Sequence, residues 1–392
     1  MSSTPGHGSA TPSNPNFASP ANTRSNMVRS VPQAHGWSAL PPHYAIPAEA
    51  PSLAEAKLYC ERLVRSHYEN FSVATLFLPE RLREHFYSVY AYCRISDDLG
   101  DEVGNAEQSL RLLDEWETEL DVTYASLALS GEKQKTGNGK RATGNDNCSE
   151  EHTSNEHVSE GHGFSRAERL CPPDAALAAE GNEQRSPRHP VFIALRETIR
   201  ACNIPKQPFA DLLKAFRQDQ VTVRYKTLED LLGYCRYSAN PVGRLVLYVC
   251  GYSDRERQHL SDFTCTALQL ANFWQDVAVD YGKGRIYLPL EDLRRFGVSE
   301  QDIAQRHCTP RFRDLMRFEV ARAHEWFVQG LPLVRKVDRE LAIDIELFSR
   351  GGQEILNAIE RQNYDVLTSR PAISKRRKIW LLARAALKSR LP

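Results

Sequence analysis

Two stretches of this chain set aspartates four residues apart inside otherwise apolar sequence. One runs Phe86-Tyr-Ser-Val-Tyr-Ala-Tyr-Cys-Arg-Ile-Ser-Asp-Asp-Leu-Gly-Asp-Glu102. The other runs Leu268-Gln-Leu-Ala-Asn-Phe-Trp-Gln-Asp-Val-Ala-Val-Asp-Tyr-Gly-Lys-Gly-Arg285. A four-residue spacing stacks side chains on one face of an α-helix. Asp97 and Asp101 therefore share a face that continues back through Arg94 and Tyr90, with Asp98 and Glu102 beside it. In the second stretch Gln269, Asn272, Asp276 and Asp280 form one polar stripe, and Lys283 and Arg285 follow in a glycine-flanked turn. Carboxylates one turn apart repel, and among apolar neighbours they are costly unless a cation meets them. Two such helices face to face make an oxygen-lined cage. That donor set suits Mg²⁺ shared with phosphate oxygens, and the nearby arginines and lysine suit the same phosphates. A pair of solvated acidic faces is the plain alternative. One pair alone signals no more than surface; two pairs, each with apolar flanks and an arginine, weigh toward metal and diphosphate.

The surrounding sequence is helical in period. Leu58, Leu63 and Val64, then Phe86, Val89, Tyr90 and Cys93, then Phe209, Leu212, Leu213 and Phe216 recur at helical spacing, and alternating strand patterns are nearly absent. This predicts an all-α fold. Residues 1–50 are rich in Ser, Pro, Asn, Ala and Gly with no acidic residue before Glu49, and read as a disordered tail. A second polar, Gly/Asn/Glu/Lys-rich stretch at about 130–189 reads as a disordered insert within a single 51–392 domain. Its scattered Cys148, His152, His157, His162 and Cys171 match no standard metal-ligand spacing. Lys plus Arg and Asp plus Glu both total 50, so no basic excess points to nucleic acid. Nine cysteines without a C-x-x-C pair read as reduced thiols in a cytoplasm. No apolar run is long enough to span a membrane.

With these motifs the chain resembles the squalene and phytoene synthase family of head-to-head prenyl synthases, over most of 53–370 with the insert set aside. The family's first aspartate motif is matched by Asp97-Asp98-Leu99-Gly100-Asp101. Its other aspartate motif is matched by Asp276-Val277-Ala278-Val279-Asp280, followed by Gly284-Arg285-Ile286-Tyr287-Leu288-Pro289. The resemblance implies an all-α isoprenoid-synthase bundle around a central cavity. It implies Asp97, Asp101, Asp276 and Asp280 as ligands to several Mg²⁺ ions, with Asn272 and Gln269 supporting the second site and Arg94, Lys283 and Arg285 holding diphosphate. His67-Tyr-Glu-Asn-Phe-Ser-Val-Ala74, Tyr234-Cys-Arg-Tyr-Ser-Ala-Asn-Pro-Val-Gly243 and Asn272-Phe-Trp-Gln-Asp276 resemble the hydroxysqualene synthase branch of the hopanoid route. That branch converts presqualene diphosphate to hydroxysqualene and uses no NADPH. Gln275 stands where relatives that join two prenyl diphosphates usually carry Arg, which reads as one cation fewer.

Further residues keep two readings each. Tyr90 and Tyr237 either shape a carbocation pocket or are ordinary core aromatics. Asn240 either positions a water or marks a kink before Pro241. His67 either touches diphosphate or sits on a helix face, and Phe71 lines the cavity or the core. Residues 370–392 hold eight basic groups and no acidic one, interleaved with Ile379, Trp380, Leu381, Leu382 and Leu387. They read equally as a helix on the anionic inner face of a membrane and as a terminal helix packed on the bundle. Competing functions are squalene, presqualene diphosphate or phytoene synthesis, and, outside the class, a non-catalytic assembly factor or a metal-dependent diphosphate hydrolase.

Overall fold

In the computed structural model, residues 44–66, 79–137 and 186–390 are described. The helices are α1 (Leu53–Ser66), α2 (Glu80–Asp101), α3 (Ala106–Gly137), α4 (Pro190–Cys202), α5 (Gln207–Asp219), α6 (Leu228–Ser238) and α7 (Asn240–Val249). They continue as α8 (Arg255–Gly282), α9 (Leu290–Phe296), α10 (Glu300–Ala304), α11 (Pro310–Gly330), α12 (Arg339–Arg361) and α13 (Lys375–Arg390). No strand occurs among the described residues; Arg224 and Ile286 form an isolated bridge. The expected all-α bundle is therefore what the chain adopts.

Local chemistry explains where helices begin. Thr227 and Asp230 close a reciprocal capping box on α6, and Asp254 and Asp338 accept backbone N–H bonds at the starts of α8 and α12. Pro190 and Pro310 open α4 and α11, where a missing N–H costs nothing.

Two apolar cores then fix which faces the long helices turn outward. In the first, Trp116 of α3 packs on Tyr92, Phe192 and His189. Its indole N–H donates to Ser96 Oγ at 2.9 Å, and the Tyr92 hydroxyl donates to the Phe209 carbonyl at 3.0 Å. These bonds commit Tyr92, Ile95, Ser96 and Leu99 of α2 to the core, which leaves Arg94, Asp97 and Asp101 on another side. In the second core, Ala267, Leu270, Ala271, Trp274 and Val277 of α8 pack with residues of α11 and α12, leaving the Gln269–Asp280 stripe elsewhere. Gly243 of α7 and Gly352 of α12 allow close crossings over α8. A Cβ on the first would collide with Ser261 and Cys265, and one on the second with Phe327 and Leu268.

The packed chain begins and ends its irregular stretches differently from expectation. Tyr44 and Ile46 belong to the first core, ahead of the boundary expected at residue 50. Helix α3 runs on to Gly137, past the expected insert start at 130. At the other edge, His189 is buried and caps α4 through its Nδ1. Residues 1–43 and 138–185, where the rest of the expected tail and insert fall, lie outside the described residues.

Candidate active site

The two aspartate stripes meet. Asp97 and Asp101 stand at the C-terminal end of α2, and Arg285, just beyond α8, donates to both oxygens of Asp101 at 2.9 and 3.3 Å. On α8 the Asn272 amide donates to Asp276 Oδ2 at 2.9 Å, and Lys283 in the following turn is exposed beside Asp280. Gln269 is half-buried one turn below Asn272.

The carboxyls in this cleft resist ionisation. Desolvation, then the Asp101 charge, pushes Asp97 up to about 6, although half of its side chain is open to solvent. Desolvation and then Asp276 push Asp280 up to about 7. Asp219, at the end of α5, is also raised to about 7, chiefly by burial; Tyr234, donating to its Oδ2 at 2.9 Å, and Arg285 pull the other way. Asp101 and Asp97 add to that rise. Carboxylates from three helices that raise one another's pKa gain when a dication joins them. Asp219 Oδ1, buried without a hydrogen-bond partner among the described residues, is a further oxygen for such an ion. As they stand, no three acidic, His or Cys side chains among the described residues converge closely enough to hold a metal.

Arg94 is committed to carboxylates: 2.5 Å to Asp98, 3.1 Å to Glu102 and 3.8 Å to Asp97. Asp98 is the buried member of its motif and also takes the Tyr44 hydroxyl at 2.5 Å, so Tyr44 and Arg94 brace the first aspartate turn. Tyr90 is half-buried one turn below Arg94. Tyr237 carries Lys214 over its ring at 3.8 Å. Asn240 is buried and accepts from Thr266 at 3.0 Å across the α7–α8 crossing. His67 and Phe71 lie outside the described residues.

The main residue missed by sequence reasoning is Arg370. It reaches Asp276 through both Nε and Nη2 and Gln275 Oε1 at 3.2 Å. Gln275, itself buried, donates to the Pro371 carbonyl at 2.6 Å and so pins this strap. The cation that position 275 does not supply thus arrives from position 370, which corrects the reading of a cation-poor second motif. In the sequence Arg370 is visible only as one of eight basic residues at the chain end.

The same two helices also line an apolar cavity of about 290 Å³. Phe86 of α2 and Cys265 of α8 line it, together with Val242, Val246, Ile345 and Phe348. Phe86 precedes Asp97, and Cys265 precedes Asp276, by 11 positions. Each pair therefore shares a helix face, about 17 Å apart.

The fold and this cleft, with acidic helix ends above an apolar cavity between helices, define an isoprenoid-synthase type of helical enzyme. A squalene/phytoene synthase family model matches residues 64–377, and the chain belongs to that family. It is similar to the crystal structure of squalene synthase HpnC from Alicyclobacillus acidocaldarius, with 39% identity over 84% of this chain and 98% of that one and a TM-score of 0.62. A dehydrosqualene synthase structure shares the fold at 22% identity and a TM-score of 0.64, covering 86% of this chain and 96% of that one. The 15-cis-phytoene synthase of Synechococcus elongatus is 27% identical, covering 86% of this chain and 94% of its own.

Proposed function

We propose that this chain converts presqualene diphosphate to hydroxysqualene with release of diphosphate. The observation that carries this reading is the 39% identity to the HpnC enzyme, against 27% to the cyanobacterial phytoene synthase. Asp97 and Asp101 on α2, and Asp276 and Asp280 with Asn272 on α8, would hold Mg²⁺, which when bound supplies positive charge to the departing diphosphate. Arg285 and Arg370, which here balance Asp101 and Asp276, and the exposed Lys283 are placed to donate hydrogen bonds to diphosphate oxygens. Arg94 acts by holding Asp98 and the first aspartate turn. Tyr90, one turn below Arg94 on the same face, would offer an aromatic face to a carbocation, and Tyr237 and Asn240 would shape that pocket or position the water. His67 and Phe71 keep their roles toward diphosphate and cavity as part of this proposal.

A second reading is the joining of two prenyl diphosphates, as in phytoene synthesis. Arg370 favours it, because it restores a guanidinium at the second motif. Product analysis with Mg²⁺ and no NADPH separates the two. Hydroxysqualene from presqualene diphosphate is the expected result; a product only from paired farnesyl or geranylgeranyl diphosphates would replace it with the second reading.

The chain end adds a membrane proposal. No helix among the described residues is long and apolar enough to cross a membrane. Helix α13 packs Leu381 and Ala385 against Ile343 and Leu347 of α12, and Arg377 pairs with Glu354 at 2.6 Å. Ile379, Trp380 and Leu387 remain exposed on the same helix. This arrangement supports a peripheral site on an anionic membrane surface, reached from the cytoplasm, that receives a lipid product. Replacing Ile379, Trp380 and Leu387 by Ser is expected to weaken flotation with anionic liposomes about tenfold or more. Equal flotation removes the membrane role.

A further inference from the structure

Helix α2 closes on an end that electrostatics disfavours. Asp97, Asp98 and Asp101 lie in its last turns and Glu102 caps it, with no basic residue in the final turn. Carboxylates there meet the negative end of the helix dipole and one another, and both effects favour fraying of the turn. The middle acid is the anchored one. Asp98 is 2% exposed, and its carbonyl accepts the Glu102 N–H at 2.9 Å as the helix closes. Arg94 Nη2 stands 2.5 Å from Oδ1 but out of hydrogen-bonding line. Among the described residues the hydrogen bond to this carboxylate comes from the Tyr44 hydroxyl, at 2.5 Å to Oδ2.

Tyr44 is brought there from a distance. Lys57, in the second turn of α1, pairs with Glu84 at 2.6 Å. Glu84 lies 14 positions before Asp98, which is about 21 Å along α2. The segment ahead of α1 therefore runs along α2 to its acidic end. Tyr44 and Ile46 seat that far end in the first core, 5% and 9% exposed. Ser52 ties the near end to Glu55 at 2.8 Å. Asp97 precedes Asp98 by one position and Asp101 follows it by three, so the three share one turn. Turning Asp98 outward would turn both neighbours with it.

We infer that Tyr44 is a positioning residue for metal binding: its hydroxyl holds Asp98 inward and so keeps Asp97 and Asp101 presented to the cleft as one pair of ligands. Partners one step removed from a metal's own ligands are worth about 10- to 100-fold in metal affinity. The inference rests on the proposed reading of these two aspartates as metal ligands, and the test separates the two.

The test is Mn²⁺ binding to the full chain with farnesyl thiodiphosphate present, read from the paramagnetic resonance of the free ion. Mn²⁺ takes the same oxygen donors as Mg²⁺. Wild type is expected to bind. Tyr44→Phe keeps the ring in the core, removes the hydroxyl, and should weaken Mn²⁺ binding about tenfold. Asp98→Asn should weaken it at least as far, and adding Tyr44→Phe to that variant should cost less than about twofold more, because the carboxylate through which the hydroxyl acts is gone. Ile46→Val trims the packing of the same segment, leaves the hydroxyl, and should stay within about twofold of wild type. Affinity kept in Tyr44→Phe or in Asp98→Asn, equal weakening in Ile46→Val, or a full tenfold cost on top of Asp98→Asn overturns the role of Tyr44 while the metal reading stands. Failure of wild type to bind Mn²⁺ overturns both.

Discussion

Asp276→Asn is expected to lower turnover by about 10²-fold or more while leaving the fold intact. The side chain opens the second motif, 13% exposed, and holds Asn272 and Arg370. An amide keeps its shape and can still meet Asn272, so the helix and its cores are undisturbed. What it lacks is charge. It cannot serve a dication as carboxylate does, and Arg370 loses the partner that poises it over the cleft. The lost ion pair itself costs little, because half of the Arg370 side chain is open to water and such pairs contribute about 0–1 kcal/mol. The expected pattern is therefore a collapse in kcat, seen as diphosphate release at saturating substrate, with a melting temperature close to wild type. Full activity in this variant would end the metal–diphosphate reading of the cleft.

The fold is legible in the sequence because helical periodicity survives without any partner sequence. Leu63, Val89 and Leu212, marked by spacing alone, are all buried. The aspartate stripes are legible for the same reason, since a four-residue repeat fixes a face wherever the helix goes. What spacing does not fix is which cation crosses to which carboxylate. Arg285 reads in sequence as a diphosphate ligand, and its bridge to Asp101 across the cleft is not legible there. Arg94 reads the same way and is committed to Asp98. Arg370 and Asp219 come to the site from a strap and from the end of another helix, and no local pattern distinguishes them from surface charges. Tyr44 is hidden by its setting: it closes a Pro- and Ser-rich stretch whose composition reads as tail, yet its hydroxyl reaches a buried carboxylate. Asp344 of α12, 3% exposed with no hydrogen-bond partner for either oxygen among the described residues, is hidden too, because an acid in Leu341-Ala-Ile-Asp-Ile-Glu346 resembles an ordinary solvated turn until the neighbouring helices close over it.

That burial gives Asp344 a separate, independent signature in stability. Burial alone pushes its carboxyl from 3.8 up to about 8. Two ionisable groups share its surroundings: Cys265, which lines the same cavity, and Cys250, whose thiol feels the Asp344 charge. Burial raises these thiols to about 11 and about 12, so both stay neutral over the relevant range. Below about pH 4 the carboxyl is protonated in both the folded and the unfolded chain, and its titration contributes nothing. Between about pH 4 and about pH 8 the unfolded chain releases the proton and the folded chain retains it, so stability falls as pH rises; above about 8 the effect is constant. At ~1.4 kcal/mol per pH unit of difference, the full penalty is on the order of a few kcal/mol once water entering the cavity offsets part of the desolvation. Asp344→Asn removes the titration and keeps the shape. Urea unfolding of both proteins across this range is expected to show Asp344→Asn gaining on wild type steadily from about pH 4 to about pH 8, by a few kcal/mol at the upper end. The subtraction cancels the other raised carboxyls, including Glu319, pushed up to about 8 by burial. A difference that does not change with pH would mean that the folded chain ionises Asp344 as readily as the unfolded chain does, and that solvent reaches its carboxyl.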